Sequence, residues 1–248
     1  MQRPLIIAHR GASAYAPENT RAAFMLAHEM GADGFECDVH LSKDGVPVVI
    51  HDDTLKRVSG INVRVASLTV RLLKKRDIGS WFGRKFADQR ILTLEEVLAL
   101  AKPHFTCMVE VKDSGDARSN DRLAQEVART VKGAHATACS FDLDICTGIK
   151  RRLPGLHVDW IEGASIPISR AVSPVIARKF GLDGISSDYR HLNAARVNEA
   201  HAVGLRVDAW TVNRAASVVR LARMGVDAIE TDKPDLAMRA LASAGFTA

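Results

Sequence analysis

Short apolar runs alternate with longer amphipathic stretches from one end of the chain to the other. The short runs read as strands over 5–8, 34–39, 47–50, 105–111, 136–140, 156–160, 183–187, 205–211 and 227–230. The longer stretches read as helices over 18–30, 93–101, 118–132, 142–152, 169–180, 192–202, 214–223 and 234–243. Several helix starts carry local signals. Thr93 with Glu96 fits a capping box, Asn19 or Thr20 precedes the first apolar stripe, and Pro234 suits a first turn. Gly31, Gly133, Gly181, Gly204 and Gly225 each follow a helix-like stretch, where a left-handed cap is wanted.

Strands alternating with helices predict a parallel sheet. About eight such units in a chain of 248 residues suit an α/β protein of the (β/α)8 TIM-barrel class. A doubly wound open sheet is the competitor, but neither its glycine-rich dinucleotide fingerprint nor a phosphate-binding P-loop sequence occurs. The basic stretch 52–92, with Trp81-Phe82-Gly83, breaks the rhythm and is too long for a βα loop. It reads as an insertion covering one end of a barrel that takes up residues 1–248 as a single domain.

Composition narrows the class. Apolar residues at 47% and charged residues at 25% are ordinary for a soluble globular protein and exclude disordered, collagen-like and disulfide-scaffold chains. No apolar run is long enough to span a membrane, so stable membrane insertion is not expected. Only Leu5–Ala8 precedes His9 and Arg10, too little for a signal-peptide core, and the expected location is cytoplasmic. Cys37, Cys107, Cys139 and Cys146 lack metal-binding spacing and read as buried reduced thiols. The net charge of +5 is mild, aromatics are 5%, and Arg64, Arg71, Lys74, Lys75 and Arg76 are interleaved with apolar residues. No nucleic-acid partner is expected from that pattern.

The chemistry sits where the early strands end. The first runs into His9-Arg10-Gly11, the second carries Glu36 and Asp38, the third runs into His51-Asp52, and the fourth ends Glu110-Val111-Lys112. Polar residues at the C-terminal ends of barrel strands read as an active site. Strand alternation puts Glu36 and Asp38 on one face, and Glu110 and Lys112 on one face. Taken singly, Glu110 with Lys112 reads equally as a buried ion pair, and either histidine as a hydrogen-bonded structural residue. Four consecutive strand ends of this kind are harder to assign to chance. Burying three carboxylates without a cation costs several kcal/mol apiece. One divalent ion is the simplest compensation, and oxygen ligands Glu36, Asp38 and Glu110 favour Mg²⁺ or Ca²⁺ over zinc. His9 and His51 suit general acid–base work, and Arg10 and Lys112 suit an anionic group. Together they point to phosphoryl transfer or phosphodiester cleavage.

Ordered blocks along nearly the whole chain resemble the glycerophosphodiester phosphodiesterase family. They are His9-Arg10-Gly11, Ala16-Pro17-Glu18-Asn19-Thr20, Gly34 to Val39, Lys43 to Asp52, Leu92 to Leu98, Val109 to Lys112, Ser140-Phe141, Ala209 to Asn213 and Gly225 to Pro234. The resemblance implies a TIM barrel with a small insertion between the second strand and its helix. It implies hydrolysis of a small glycerophosphodiester to sn-glycerol 3-phosphate and an alcohol. By position, His9 and His51 resemble the acid–base pair, Glu36, Asp38 and Glu110 the metal ligands, Arg10 and Lys112 the phosphate contacts, and Trp210 the aromatic beside the glycerol. Three stretches depart from the pattern: Arg64 to Ser67, Trp160 with Glu162, and Glu230, a carboxylate where many relatives carry an apolar residue. Two rivals remain open. One is a lysophospholipase D or phospholipase-C-like enzyme using Val70, Leu72, Leu73, Trp81 and Phe82 as a lipid-facing patch, unless these form the insertion's own core. The other is a non-catalytic phosphate-binding barrel.

Overall fold

The computed structural model describes residues 2–101, 105–162 and 173–247. In chain order its elements are β1 (Leu5–Ala8), α1 (Arg21–Glu29), β2 (Gly34–Leu41), β3 (Pro47–Val49), α2 (Lys56–Ser59), α3 (Val70–Leu73), β4 (Leu92–Thr93), α4 (Leu94–Leu98), β5 (Thr106–Val111) and α5 (Ala117–Val131). They continue with β6 (Ala136–Ser140), α6 (Leu143–Arg152), β7 (His157–Glu162), α7 (Pro174–Lys179), β8 (Gly184–Asp188), α8 (Ala194–Ala202), β9 (Arg206–Trp210), α9 (Ala215–Met224), β10 (Ala228–Thr231) and α10 (Pro234–Ser243).

Eight strands run parallel in the order β1-β10-β9-β8-β7-β6-β5-β2, and β2 closes back on β1 through Ile7↔Gly34 and Ala8↔Phe35. This is the expected (β/α)8 barrel. Alternation divides each strand's side chains between two environments. Phe35, Cys37 and Val39 of β2 point outward into the apolar layer beneath the helices, where Phe35 stacks 4.5 Å from Phe24. Burying each such ring contributes about 1.5–3 kcal/mol. The intervening Glu36 and Asp38 therefore face the lumen, where Ile7, Met108, Cys139, Ile161 and Ala228 form a small apolar plug. All four cysteines are free and buried.

The run 47–50 forms a strand, but not a barrel strand. β3 pairs antiparallel with the end of β2 (Val39↔Val49, Leu41↔Pro47), and β4 pairs antiparallel with β3. The excursion from the barrel thus begins directly after β2, not at residue 52, and lies between β2 and α4. It has its own apolar cluster of Val48, Ile50, Leu55, Val58, Val65, Leu73, Ile78 and Ile91, with Val70 packed against it. Trp81 stands outside that cluster, 45% exposed and edge-on to Phe82.

Local signals map closely onto helix ends. Thr93 and Glu96 make the full capping box of α4. Thr20 caps α1, accepting from the Ala23 N–H. Gly225 closes α9 at φ 85°, a conformation that a side chain resists. Of the helix expected over 169–180, residues 174–179 are helical, and 169–172 lie outside the described residues. Among the described residues no helix is long and apolar enough to cross a membrane.

Candidate active site

The C-terminal mouth of the barrel holds a pocket of about 150 Å³. His9, Arg10, Glu36, His51, Glu110, Lys112 and Trp210 all line it. Asp38, the remaining residue singled out from sequence, is fully buried beside them. A larger open groove of about 1120 Å³ lies between α9 and α10, but its lining, which includes Val219, Leu236 and Ala240, has no histidine or carboxylate. The smaller pocket is where acid–base groups meet.

His9 follows β1, and its N–H donates to the Thr231 carbonyl (2.9 Å), which extends the β1–β10 pairing by one residue. Its Nδ1 lies 2.7 Å from Asp232 Oδ1. Ser13 Oγ donates to the same oxygen (2.9 Å), and Asn213 Nδ2 donates to Asp232 Oδ2 (2.5 Å). Burial works to raise the Asp232 carboxyl, but His9, Asn213 and Ser13 outweigh it and hold the group below its usual value. An ionised Asp232 fixes the proton on Nδ1 and leaves Nε2 for the pocket.

His51 arrives on a different path. β3 descends toward the barrel, so the Ile50 N–H meets the Asp38 carbonyl (2.9 Å) and His51 comes back to the level of the carboxylates. Its Nδ1 lies 2.7 Å from Asp52 Oδ1. Arg57 grips Asp52 through Nε (2.9 Å) and Nη2 (3.0 Å), and grips Glu18 with two further bonds of 2.6 and 2.8 Å. That guanidinium is the main cause holding Asp52 down, to about 2. The His51 imidazole is depressed below 6.5, first by burial; Asp38 pulls it upward, while Lys112 and Arg10 push it down.

The carboxylates are unevenly compensated. Asp38 contacts Lys112 Nζ (2.7 Å) and Arg10 Nε (3.1 Å), and accepts from Asn19 Nδ2 (2.7 Å). Burial opposes its charge, yet Lys112 and Arg10 hold it well below the usual range. Lys112 also contacts Glu110, whose carboxyl is nevertheless raised by burial and then by Asp38. Glu36 accepts the Arg10 backbone N–H at Oε2 (2.9 Å), but its Oε1 is buried with no hydrogen-bond partner. Burial, Asp38 and Glu230 raise Glu36 well above the usual carboxylate value. One oxygen from each of Glu36, Asp38 and Glu110 lies within 4.8 Å of the others. An oxygen-only set with a buried, unpartnered acceptor fits a hard divalent cation.

Backbone geometry supports this arrangement. Arg10 and Asn19 both adopt left-handed φ values of 57°. At Gly11, φ 80°, a Cβ would lie 2.6 Å from the Ala23 carbonyl carbon, so the turn after β1 packs tightly on α1. Asn19 had the signature of a helix cap in sequence; instead its side chain pairs with Asp38, also accepting the Asp38 N–H at 3.3 Å.

Several residues of the site were given no role from sequence, although Glu18, Phe141, Asn213 and Asp232 fall within the blocks that carry the resemblance: Asp232, Ser13 and Asn213 around His9, Arg57 and Glu18 behind His51, and Ser186 and Phe141 on the pocket wall. Trp210 lies edge-on to Phe141, 6.0 Å between ring centres. Trp160 and Glu162 do not line the pocket. Trp160 Nε1 donates to the Phe141 carbonyl (3.2 Å), and Glu162 pairs with Arg196 and accepts from Ser187 (2.6 Å). Ile161 between them faces the pocket instead.

Comparison with known proteins gives a consistent picture. Residues 9–236 match the model of the glycerophosphoryl diester phosphodiesterase family. A glycerophosphodiester phosphodiesterase of Caldanaerobacter subterraneus is 34% identical over 238 residues, 94% of this chain and 96% of the relative. A phosphodiesterase of Oleispira antarctica, solved in complex with the product sn-glycerol-3-phosphate, superposes with a TM-score of 0.87 at 27% identity, covering 97% of each chain. A glycerophosphodiester phosphodiesterase of Parabacteroides distasonis superposes with a TM-score of 0.83 at 27% identity over 98% of each chain.

Proposed function

This chain belongs to the glycerophosphoryl diester phosphodiesterase family, and on that premise we propose that it splits glycerophosphodiesters into sn-glycerol 3-phosphate and an alcohol with two histidines and one divalent cation. The observation that carries this reading is the pair of imidazoles, each tied through Nδ1 to a carboxylate at 2.7 Å and each lining the pocket that Glu36 and Glu110 also line. A simple phosphate-binding barrel has no need of two such dyads. The product bound to the Oleispira relative supports the substrate class.

Glu36, Asp38 and Glu110 would hold the cation, Mg²⁺ or Ca²⁺, whose charge would offset that on the phosphoryl oxygens. Arg10 and Lys112 add positive charge to the wall where the phosphate lies, and Trp210 packs beside the glycerol. His51, kept as free base by burial, takes the proton from the attacking water through Nε2. His9 gives its Nε2 proton to the departing alcohol oxygen as the phosphorus–oxygen bond breaks, and Asp232 stabilises the imidazolium that makes this donation. The excursion between β2 and α4 belongs to the same catalytic unit as the barrel, because it delivers His51.

The test is a panel of glycerophosphodiesters and lysophosphatidylcholine, assayed with Mg²⁺, Ca²⁺ or EDTA. Release of glycerol 3-phosphate from glycerophosphocholine with either ion, and none in EDTA, is expected. His9→Ala and His51→Ala should each lower the rate by about 10²–10⁴-fold. Unchanged hydrolysis in both variants would overturn the acid–base assignment. Faster cleavage of lysophosphatidylcholine would move the substrate to lipid.

A further inference from the structure

Glu230 is the carboxylate that the proposed chemistry leaves unused. It projects from β10 into the pocket, 5% exposed, and Ser186 Oγ donates to its Oε1 (3.3 Å). The two cations of the pocket are engaged elsewhere: Lys112 on Asp38 and Glu110, Arg10 on Asp38 and Glu18. Among the described residues no ion pair reaches Glu36 or Glu230.

These two carboxylates lie close to the His9 ring. One nitrogen of His9 and one oxygen each of Glu36 and Glu230 lie within 4.8 Å of one another. Glu36, which this trio shares with the first set, marks the place as a ligand position. Glu36 is only 2% exposed, lines the pocket, and its Oε1 has no hydrogen-bond partner. His9 is also prepared as a ligand. A ring whose Nδ1 is tied to a carboxylate, here Asp232 at 2.7 Å, presents Nε2 in a fixed direction. The donors differ in kind from the oxygen-only set. One imidazole and two carboxylates suit Zn²⁺ and similar transition ions better than Mg²⁺ or Ca²⁺.

We propose that His9, Glu36 and Glu230 form a second cation position, selective for a transition ion such as Zn²⁺, which shares Glu36 with the Glu36–Asp38–Glu110 set and inhibits when filled. Inhibition follows from the ligand set itself. The lone pair of His9 Nε2 that binds the ion is the one that must carry the proton to the leaving group. The inhibitory part rests on the acid–base reading of His9 given above; the binding part does not.

The experiment is equilibrium dialysis of the full chain against Zn²⁺ with Mg²⁺ in large excess, alongside hydrolysis of glycerophosphocholine titrated with Zn²⁺ under the same conditions. The wild type should bind one Zn²⁺ per chain and lose activity as it fills, and more Mg²⁺ should not restore the rate. Glu230→Gln should bind Zn²⁺ at least about tenfold more weakly. Its inhibition midpoint, read against its own zinc-free rate, should rise in parallel. Asp38→Asn, which weakens the first set, should keep the wild-type Zn²⁺ affinity. Equal Zn²⁺ affinity in the wild type and Glu230→Gln would overturn the proposal, and so would inhibition relieved by Mg²⁺, which places zinc on the first set. Zinc binding that depends on Glu230 without inhibition would overturn the role in regulation and count against His9 as the acid. Zinc binding that depends on Glu230 in a protein Mg²⁺ does not activate would uphold this position and refute the first.

Discussion

His9 and His51 are held by carboxylates at the same distance, 2.7 Å, but the carboxylates themselves are held differently. Asp232 is fixed by the neutral donors Ser13 and Asn213, Asp52 by the cation Arg57. Replacing Asp232 by Asn would turn an amide N–H₂ or a weaker acceptor toward Nδ1 and free the ring to take the wrong tautomer. Asp232→Asn is expected to lower kcat by about 10²–10⁴-fold with little change in KM, measured in steady-state kinetics on glycerophosphocholine. An unchanged kcat would mean that Asp232 does not orient the acid. At His51 burial is the first cause keeping the imidazole below 6.5, and the Asp52 hydrogen bond pulls upward against it, while Arg57 holds Asp52 from the other side. Arg57→Ala removes a cation that shares Asp52 with the imidazole, so the His51 pKa should rise and less free base should be present in mild acid. The acid limb of the kcat/KM profile should move to higher pH, with activity at pH 6 falling relative to pH 8. A limb that stays in place would remove His51 as the base. His9 was legible at the barrel mouth because strand-end position is a local feature, whereas His51 reaches the same mouth from β3, which is not a barrel strand. Asp232 was not legible, because it lies 223 residues from His9 in the chain and meets it only when β10 pairs with β1.

The excursion after β2 decides where His51 stands. Its cluster of Val48, Ile50, Leu55, Val58, Val65, Leu73, Ile78 and Ile91 is separate from the main apolar layer, so it can loosen without the barrel. Leu73 is fully buried within it. Leu73→Ala should cost about 2–5 kcal/mol, most of it drawn from this small unit. Limited proteolysis should then cut within residues 55–90 while the barrel resists, and hydrolysis should fall because Ile50 no longer rests on the Asp38 carbonyl. Cleavage spread evenly along the chain would show that the excursion and barrel unfold together. The element explains a mismatch between sequence and structure. An apolar run such as 47–50 announces a strand but carries no sign of its direction, so β3 was indistinguishable from a barrel strand. The Thr93–Glu96 capping box was readable because both partners lie within one turn. The resemblance placed the excursion correctly after the second strand; its numbered start at 52 was late because the run 47–50 was read as a barrel strand instead of the first strand of the excursion.

At the scale of the whole barrel, the lumen carries more charge than its strands announce. Below the pocket, Asp159 and Asp208 are each 1% exposed and face inward from β7 and β9. Gly184 makes room for them: a Cβ there would lie 2.2 Å from Asp159 Oδ1. His157 Nε2 pairs with Asp159 at 2.7 Å, while Arg206 reaches Asp208 only at 3.9 Å. Alternation within a strand sets Asp159 opposite in facing to Val158, but only the closed register shows that the inner side of β9 brings Asp208 near it. Burial first, and then Asp159, pushes the Asp208 carboxyl up to about 8. An aspartate in the unfolded chain titrates near ~3.9, so between about pH 4 and pH 8 the folded protein holds a proton that the unfolded chain has released. Stability from this group is complete below pH ~4 and is lost as pH rises through about 8. His157 acts with the same sign. Burial lowers its pKa, the Asp159 hydrogen bond more than offsets that, and the raised value makes its contribution fade as pH rises from about 6.5. Asp208→Asn keeps the shape and removes the titration. Thermal melts from pH 6 to 9 should therefore show a steeper fall in Tm for the wild type than for Asp208→Asn. In a chain of this size each kcal/mol corresponds to about 2–4 °C, which makes the difference measurable. Parallel slopes would mean that Asp208 is ionised in the folded barrel, and that Arg206 and His157 compensate its charge despite the distance.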